Sequence, residues 1–324
     1  MSEPEKAESE KGEMQWHIIL WYIHLYALGL YGVYLLLFYT SWMTVFFTIL
    51  ITYIGGLGVT IGAHRLWAHQ TYEAVWYIRL FLMLAHTLAG VGSIYDWVLA
   101  HRIHHKYYGT EKDPFNPNKG FLHCHLIANA MTNPPNYEQT AKAIDMRDIH
   151  LDGYVWFQNK FYWPLFLIIG ILLPINAPAE YWGESIANSV LVLGFFRFAV
   201  LSNMAWLIHS GTLIWGLKPH EKYPPDDNMV FLINKSYWLN YHYILPWDWK
   251  CSEYGSYDKG WATNTIKILN IIGLVNRMKT ASSESIRDAL FKASTSKKPF
   301  NEIMDEVKEI ASVEADKINL RYHH

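Results

Sequence analysis

Apolar side chains come in four long runs, set two and two along the chain. The first covers residues 16–38 and the second residues 42–61. A helix needs ~20 apolar residues to cross a bilayer, and both runs meet that length without a charged residue. Tyr39, Thr40 and Ser41 leave room only for a turn, so the two runs are expected to form a transmembrane hairpin. Residues before 14 and after 62 then share one side. The second pair covers residues 161–177 and 186–208. Pro164 and Pro174 fall near helix ends, where a membrane helix tolerates them. Arg197 is the one charge in the last run and requires a partner or a route to the interface. A shorter run, residues 78–89, falls short of a span and reads as buried or interfacial.

The polar stretches frame these runs. Residues 1–13 lack the basic segment and apolar core of a cleaved signal and read as a short disordered cytosolic tail. Residues 281–324 read as a cytosolic amphipathic tail, with Ile286 and Leu290 in one helical stripe and Ile303, Val307, Ile310 and Val313 in another. The connector 178–185 carries Glu180 and Glu184 and no Lys or Arg. The central region carries Arg65, Arg79, Arg102, Lys106, Lys112, Lys119, Lys142, Arg147 and Lys160. That bias places the central region and both termini on the cytosolic side. The expected fold is an all-α integral membrane protein, with four transmembrane helices in two hairpins under a cytosolic helical cap.

Composition agrees. The chain is 51% hydrophobic and only 17% charged, against about a quarter in a soluble domain. Its 15 Trp and 22 Tyr suit two membrane–water interfaces. A net charge of -2 argues against nucleic-acid binding. Cys124 and Cys251 are the only cysteines, which excludes a disulfide framework and a cysteine-based zinc site.

The chemistry lies in clustered histidines. His101, His104 and His105 stand at i, i+3 and i+4, one face of a helix. Three neutral imidazoles on one face make a metal site suited to iron, copper or zinc. His64 and His69 form a second cluster upstream. Five residues apart, they are ~140° apart around a helix of 3.6 residues per turn. They are therefore expected to straddle a helix end or to serve different metals.

These stretches carry a resemblance. Gly62-Ala63-His64-Arg65-Leu66-Trp67-Ala68-His69 resembles the first histidine box of the membrane acyl-CoA desaturases, the stearoyl-CoA desaturase family. Tyr95-Asp96-Trp97 followed by His101-Arg102-Ile103-His104-His105-Lys106 resembles the second. Asp113-Pro114, Lys119-Gly120-Phe121, Tyr181-Trp182-Gly183-Glu184 and Asn188-Ser189 continue the likeness. Asn240-Tyr241-His242, Pro246-Trp247-Asp248 and Ser252-Glu253-Tyr254 resemble the third box and its flank. The resemblance implies a desaturase domain over residues 14–280, in a four-span protein of the endoplasmic reticulum. It implies a cytosolic di-iron centre that uses O2 and cytochrome b5 electrons to place a double bond in a fatty acyl-CoA. It gives His64, His69, His101, His104, His105 and His242 as iron ligands. Trp97 and Trp206 match tunnel-lining aromatics, and Lys119 leaves one basic group near the expected phosphate site.

The sequence also departs from the family. Where the third box has His-Asn-Tyr-His-His, this chain has Leu239-Asn240-Tyr241-His242-Tyr243. Where the family has Asn-Ser-Ala-Ala-His, this chain has His209-Ser210-Gly211-Thr212-Leu213. Leu213, Leu239 and Tyr243 therefore stand at ligand positions that have lost their imidazole. Tyr243 keeps a phenol, and His209 is a candidate replacement ligand. The family's Arg-Asp before the second box is Leu99-Ala100 here, and its Arg-Asn pair at the start of the first span is His17-Ile18. Both changes weaken recognition of coenzyme A. His86, His123, His125 and His220 gain no support from spacing and read as interfacial or surface. Three functions follow: an active desaturase with an altered centre, a non-catalytic paralogue that binds lipid or a partner, or a related lipid hydroxylase.

Overall fold

The computed structural model describes residues 12–134, 136–215, 238–251, 253, 257–296 and 298–322. Helices dominate it. Four are long and apolar enough to cross a membrane: α1 (Trp16–Phe38), α2 (Trp42–Ala68), α6 (Tyr162–Trp182) and α7 (Ile186–Ser210). Between the pairs lie α3 (Trp76–Ala89), α4 (Ile94–Lys106) and α5 (Gly153–Lys160). After them come α8 (Trp238–Ile244), α9 (Trp261–Ile271), α10 (Ser283–Thr295) and α11 (Phe300–Tyr322). The described sheet is two residues wide on each side: β1 (Glu73–Ala74) pairs antiparallel with β2 (Val275–Asn276). The chain is a multi-pass membrane protein.

The spans are longer than their apolar runs. α2 continues seven residues past 61, because the first histidine box carries on the same helix. α6 reaches Trp182 rather than 177, and α7 reaches Ser210 rather than 208. The two hairpin turns meet at one end. Ser41 caps α2 by accepting from Thr44 N, and Glu184 of the other turn accepts from Ser41 N at 3.0 Å and from Thr44 Oγ1 at 2.7 Å. Trp182 Nε1 donates to Thr44 Oγ1 at 2.9 Å, so the connector's carboxylate and indole tie the pairs together.

Close helix contact depends on glycine. At Gly58 a Cβ would lie 2.1 Å from His86 N, so α2 and α3 meet backbone to backbone. Gly58→Ala is expected to force them apart and to cost about 1–3 kcal/mol, read as a lower midpoint in thermal unfolding of the purified protein. An unchanged midpoint would show that the two helices can slide. α3 and α4 are bent by 85° at Gly90, whose φ of 72° is left-handed and whose α-face meets the rings of Phe166 and Phe198. Ser93 then caps α4 by accepting from Asp96 N.

Arg197 finds its partners in backbone. Nε donates to Leu193 O at 2.7 Å, Nη1 to Leu88 O at 2.6 Å and Nη2 to Gly170 O at 2.5 Å. The side chain is fully buried, and carbonyls from α7, α3 and α6 satisfy it.

The polar ends are more integrated than their composition suggests. Residues 1–11 lie outside the described residues, but Glu13 already pairs with Thr132, donating to Thr132 Oγ1 and accepting from Thr132 N, both at 2.8 Å. The C-terminal helices share a core with the third box: Tyr241, Leu245, Trp247 and Cys251 pack with Ile286, Leu290, Ile303, Met304, Val307 and Ala311. Ile310 and Val313, which share the helical stripe read from the sequence, are about half exposed. Both cysteines are free and buried.

Candidate metal centre

The site forms at the C-terminal end of α2. Residues 58–68 of α2 carry i→i+5 hydrogen bonds, and His69 N donates to His64 O at 3.1 Å. This wider turn, common at functional sites, returns the chain to the same side after five residues. His64 sits inside the helix and His69 caps it. The structure therefore brings both to one point, which removes the need for separate metals that a 3.6-residue turn suggested.

One nitrogen from each of His64, His69, His101 and His242 lies within 4.8 Å of the others, and all four residues form one group with potential to hold a metal ion. His69 Nε2 and His101 Nε2 are 2.8 Å apart, and His64 Nε2 and His242 Nε2 are 3.2 Å apart. The ring of His105 packs on His69 and His242, with centroids 4.5 and 4.8 Å away. His105 Nε2 and His101 Nδ1 are buried without a hydrogen-bond partner. Unsatisfied buried nitrogens are rare and call for an explanation. A bound cation facing His105 Nε2 supplies one for that nitrogen.

A carboxylate stands behind each side of the cluster. His64 Nδ1 donates to Glu253 Oε1 at 3.0 Å, which leaves its Nε2 lone pair turned to the cluster. Arg65 grips the same carboxylate with two bonds, 2.6 and 2.7 Å, and donates to Trp249 O and Thr263 Oγ1 as well. Burial works against the Glu253 charge, but the Arg65 charge and the bonds from His64 and Arg65 hold its carboxyl down to about 2. Burial, and then repulsion from neighbouring rings, pushes His69, His105 and His242 well below the usual imidazole range. Neutral imidazole is the form that binds a metal.

The second side is built differently. His104 Nδ1 donates to buried Asp113 at 2.8 Å, and Tyr243 Oη donates to His104 Nε2 at 2.8 Å. His104 Nε2 is thus already engaged by the Tyr243 phenol. His209 is stacked on Phe115 at 3.8 Å and lies 5.1 Å from the His101 ring and 5.4 Å from the His104 ring. Both its nitrogens are buried and unpartnered. Leu213 is half-buried on the helical turn after α7, and the side chain of Leu239 lies outside the described residues.

The residues expected around the substrate fall in separate places. Trp97 stacks on His101 at 5.0 Å, fixing the face of that ring. Trp206 is buried edge-on to Tyr22 and His125. Lys119 is paired with Glu111 at 2.8 Å on the surface. Of the histidines read as interfacial or surface, His86 is buried in the core, whereas His125 is only partly buried. His86 is fully buried in α3 and bonded to Gly92 O, and His125 bridges Ser210 and Asn203 of α7. His220 lies outside the described residues.

Spacing alone missed Glu253, Asp113 and Arg65 as the groups that orient the rings. Their only signal was a charge standing inside a motif that the resemblance had already picked out. A cavity of about 440 Å³ lies behind the first box, but Arg79 and Arg277 in its wall are already paired with Asp152, Glu73 and Asp316.

Known proteins share this chain's sequence over most of its length, although no protein-family model matches it. An acyl-CoA Delta-9 desaturase of Acheta domesticus is 37% identical over 259 residues, 79% of this chain and 72% of that protein. An acyl-CoA Delta-12 desaturase of Tribolium castaneum is 34% identical over 297 residues, 90% of this chain and 80% of that protein. The stearoyl-CoA desaturase of Homo sapiens is 34% identical over 252 residues, 77% of this chain and 69% of that protein. With relatives 34–37% identical over 77–90% of its length, the chain belongs to the acyl-CoA desaturase family.

Proposed function

We propose that this protein is a fatty acyl-CoA desaturase of the endoplasmic reticulum membrane, with both termini and the histidine centre on the cytosolic side. One observation carries the reading: four buried imidazoles from three separate parts of the chain converge on one point. The reaction removes two hydrogens from adjacent acyl carbons and reduces O2 to two waters, with two electrons from cytochrome b5 and two protons. His64, His69, His101 and His242 would hold iron, which when bound would supply an oxidant strong enough for an unactivated C–H bond. The chain's own groups do the rest. Glu253 and Arg65 keep the His64 proton on Nδ1. Trp97 holds the plane of His101. Asp113 orients His104.

The donor set fits one metal ion at the four-histidine cluster. Beside His104 the Tyr243 hydroxyl lies on the nitrogen that would face a second ion. That contact favours a second reading, a non-catalytic member that binds one metal or a lipid. Expression in yeast lacking its own desaturase separates the two. The desaturase reading expects growth without added unsaturated fatty acid and a new monounsaturated acyl chain by gas chromatography. Membrane-inserted, iron-loaded protein with an unchanged fatty-acid profile would establish the second reading.

A further inference from the structure

Helix α9 has two apolar faces. One side, with Ala262, Thr263 and Ile266, is buried against the protein. On the other, Ile268 and Ile271 stand 59% and 82% exposed, and Ile272 just beyond the helix is 59% exposed. Offsets of three and four residues put these on one side. Contiguous apolar surface of this kind marks contact with another phase or partner. Of its polar side chains, Asn264 is exposed one turn before Ile268, and three others are engaged by the protein. Thr265 bonds to Tyr53, Lys267 Nζ pairs with Asp258 at 3.1 Å, and Asn270 donates to Val275 O.

The depth of α9 identifies the other phase. It rests on the transmembrane helix α2, with Tyr53 Oη 2.8 Å from Thr265 Oγ1 and the Tyr53 and Trp261 rings 5.3 Å apart. Tyr53 lies about 16 Å along α2 from Trp42, at ~1.5 Å per residue. The hydrocarbon core is ~30 Å thick. The contact therefore falls inside the hydrocarbon layer, not above it. At that depth an exposed isoleucine face meets acyl chains rather than water.

We propose that α9 is embedded in the leaflet on the side of the histidine centre, and that its Ile268, Ile271 and Ile272 face takes lipid acyl chains as its partner. The segment between the Glu253 loop and β2 is then anchored in the bilayer, although it lies outside the four spans. The test uses the full-length protein in phosphatidylcholine nanodiscs, with a nitroxide attached at Ile271→Cys and, separately, at Ile268→Cys. Cys124 and Cys251 are buried, and unsubstituted protein gives their background labelling. Leu30→Cys on α1 serves as the lipid-facing reference and Glu284→Cys on α10 as the aqueous one. The α9 probes are expected to collide readily with oxygen and to exclude a water-soluble nickel chelate several-fold better than Glu284→Cys. Collision with the chelate at the Glu284→Cys level would place α9 in water and overturn the proposal. Spin–spin broadening that disappears on dilution with unlabelled protein would assign the face to a second copy and overturn it equally. A variant that elutes as aggregate is replaced by Ile272→Cys.

Discussion

His101→Ala is expected to empty the metal centre. The His101 ring is the hub of the cluster, with His64 at 4.7 Å, His69 at 4.8 Å, His105 at 4.7 Å and His209 at 5.1 Å. Even the loss of a group that only orients a ligand costs ~10–100-fold in metal affinity. Removal of the central ligand itself should exceed the upper end of that range. The fold should survive, because the ring makes no bond to a carboxylate or to backbone and its Nδ1 is unpartnered. Metal per chain, read by plasma mass spectrometry on purified protein, should fall to background while the helical circular dichroism is kept. His86→Ala is the control. His86 is equally buried but bonds to Gly92 O, so its loss should lower stability and leave metal content alone. Undiminished metal in His101→Ala would remove the four-histidine site from consideration.

Glu253→Ala should damage stability and metal binding together. The carboxylate is the sole acidic partner that the described residues give Arg65, and both side chains are almost fully buried. Breaking a buried pair from one side strands a charge and costs about 3–5 kcal/mol. The second effect reaches the centre through His64, whose Nδ1 proton loses its acceptor and whose ring is freed to turn. Glu253→Gln keeps the shape and one acceptor oxygen, so it should recover part of the metal binding but not the ion pair. Thermal unfolding and metal titration on the same samples separate these effects. An Ala variant as stable as the parent would mean that Arg65 is neutralised elsewhere.

The spans could be read from the sequence because a bilayer demands one thing of a helix, a long run without charge, and that demand is visible one residue at a time. The convergence of His101 with His64 and His242 could be read only because the boxes resemble a family. Nothing local links residues 178 positions apart. The wide turn in α2 stayed hidden for a different reason. A 3.6-residue period is the default reading of any helix, and the sequence holds no signal for i→i+5 bonding at His64 and His69. The role of Glu253 was equally hidden, since a carboxylate's partner 188 residues away is a fact of packing. The same holds for the C-terminal helices. Their apolar stripe was legible, but not that it would pack on Tyr241, Leu245 and Trp247 beside His242.

Arg197 carries a consequence for biogenesis. A central arginine costs about 2.5–3.5 kcal/mol when a helix enters a membrane alone. Two of the three carbonyls that receive this guanidinium, at Leu88 and Gly170, belong to segments made before α7. By the time α7 emerges from the ribosome, both acceptors already exist. The last span therefore docks onto a prepared socket, and a defect at Gly170 would strand the newly made α7 at the point of membrane entry, long before any folded protein could be weighed for stability.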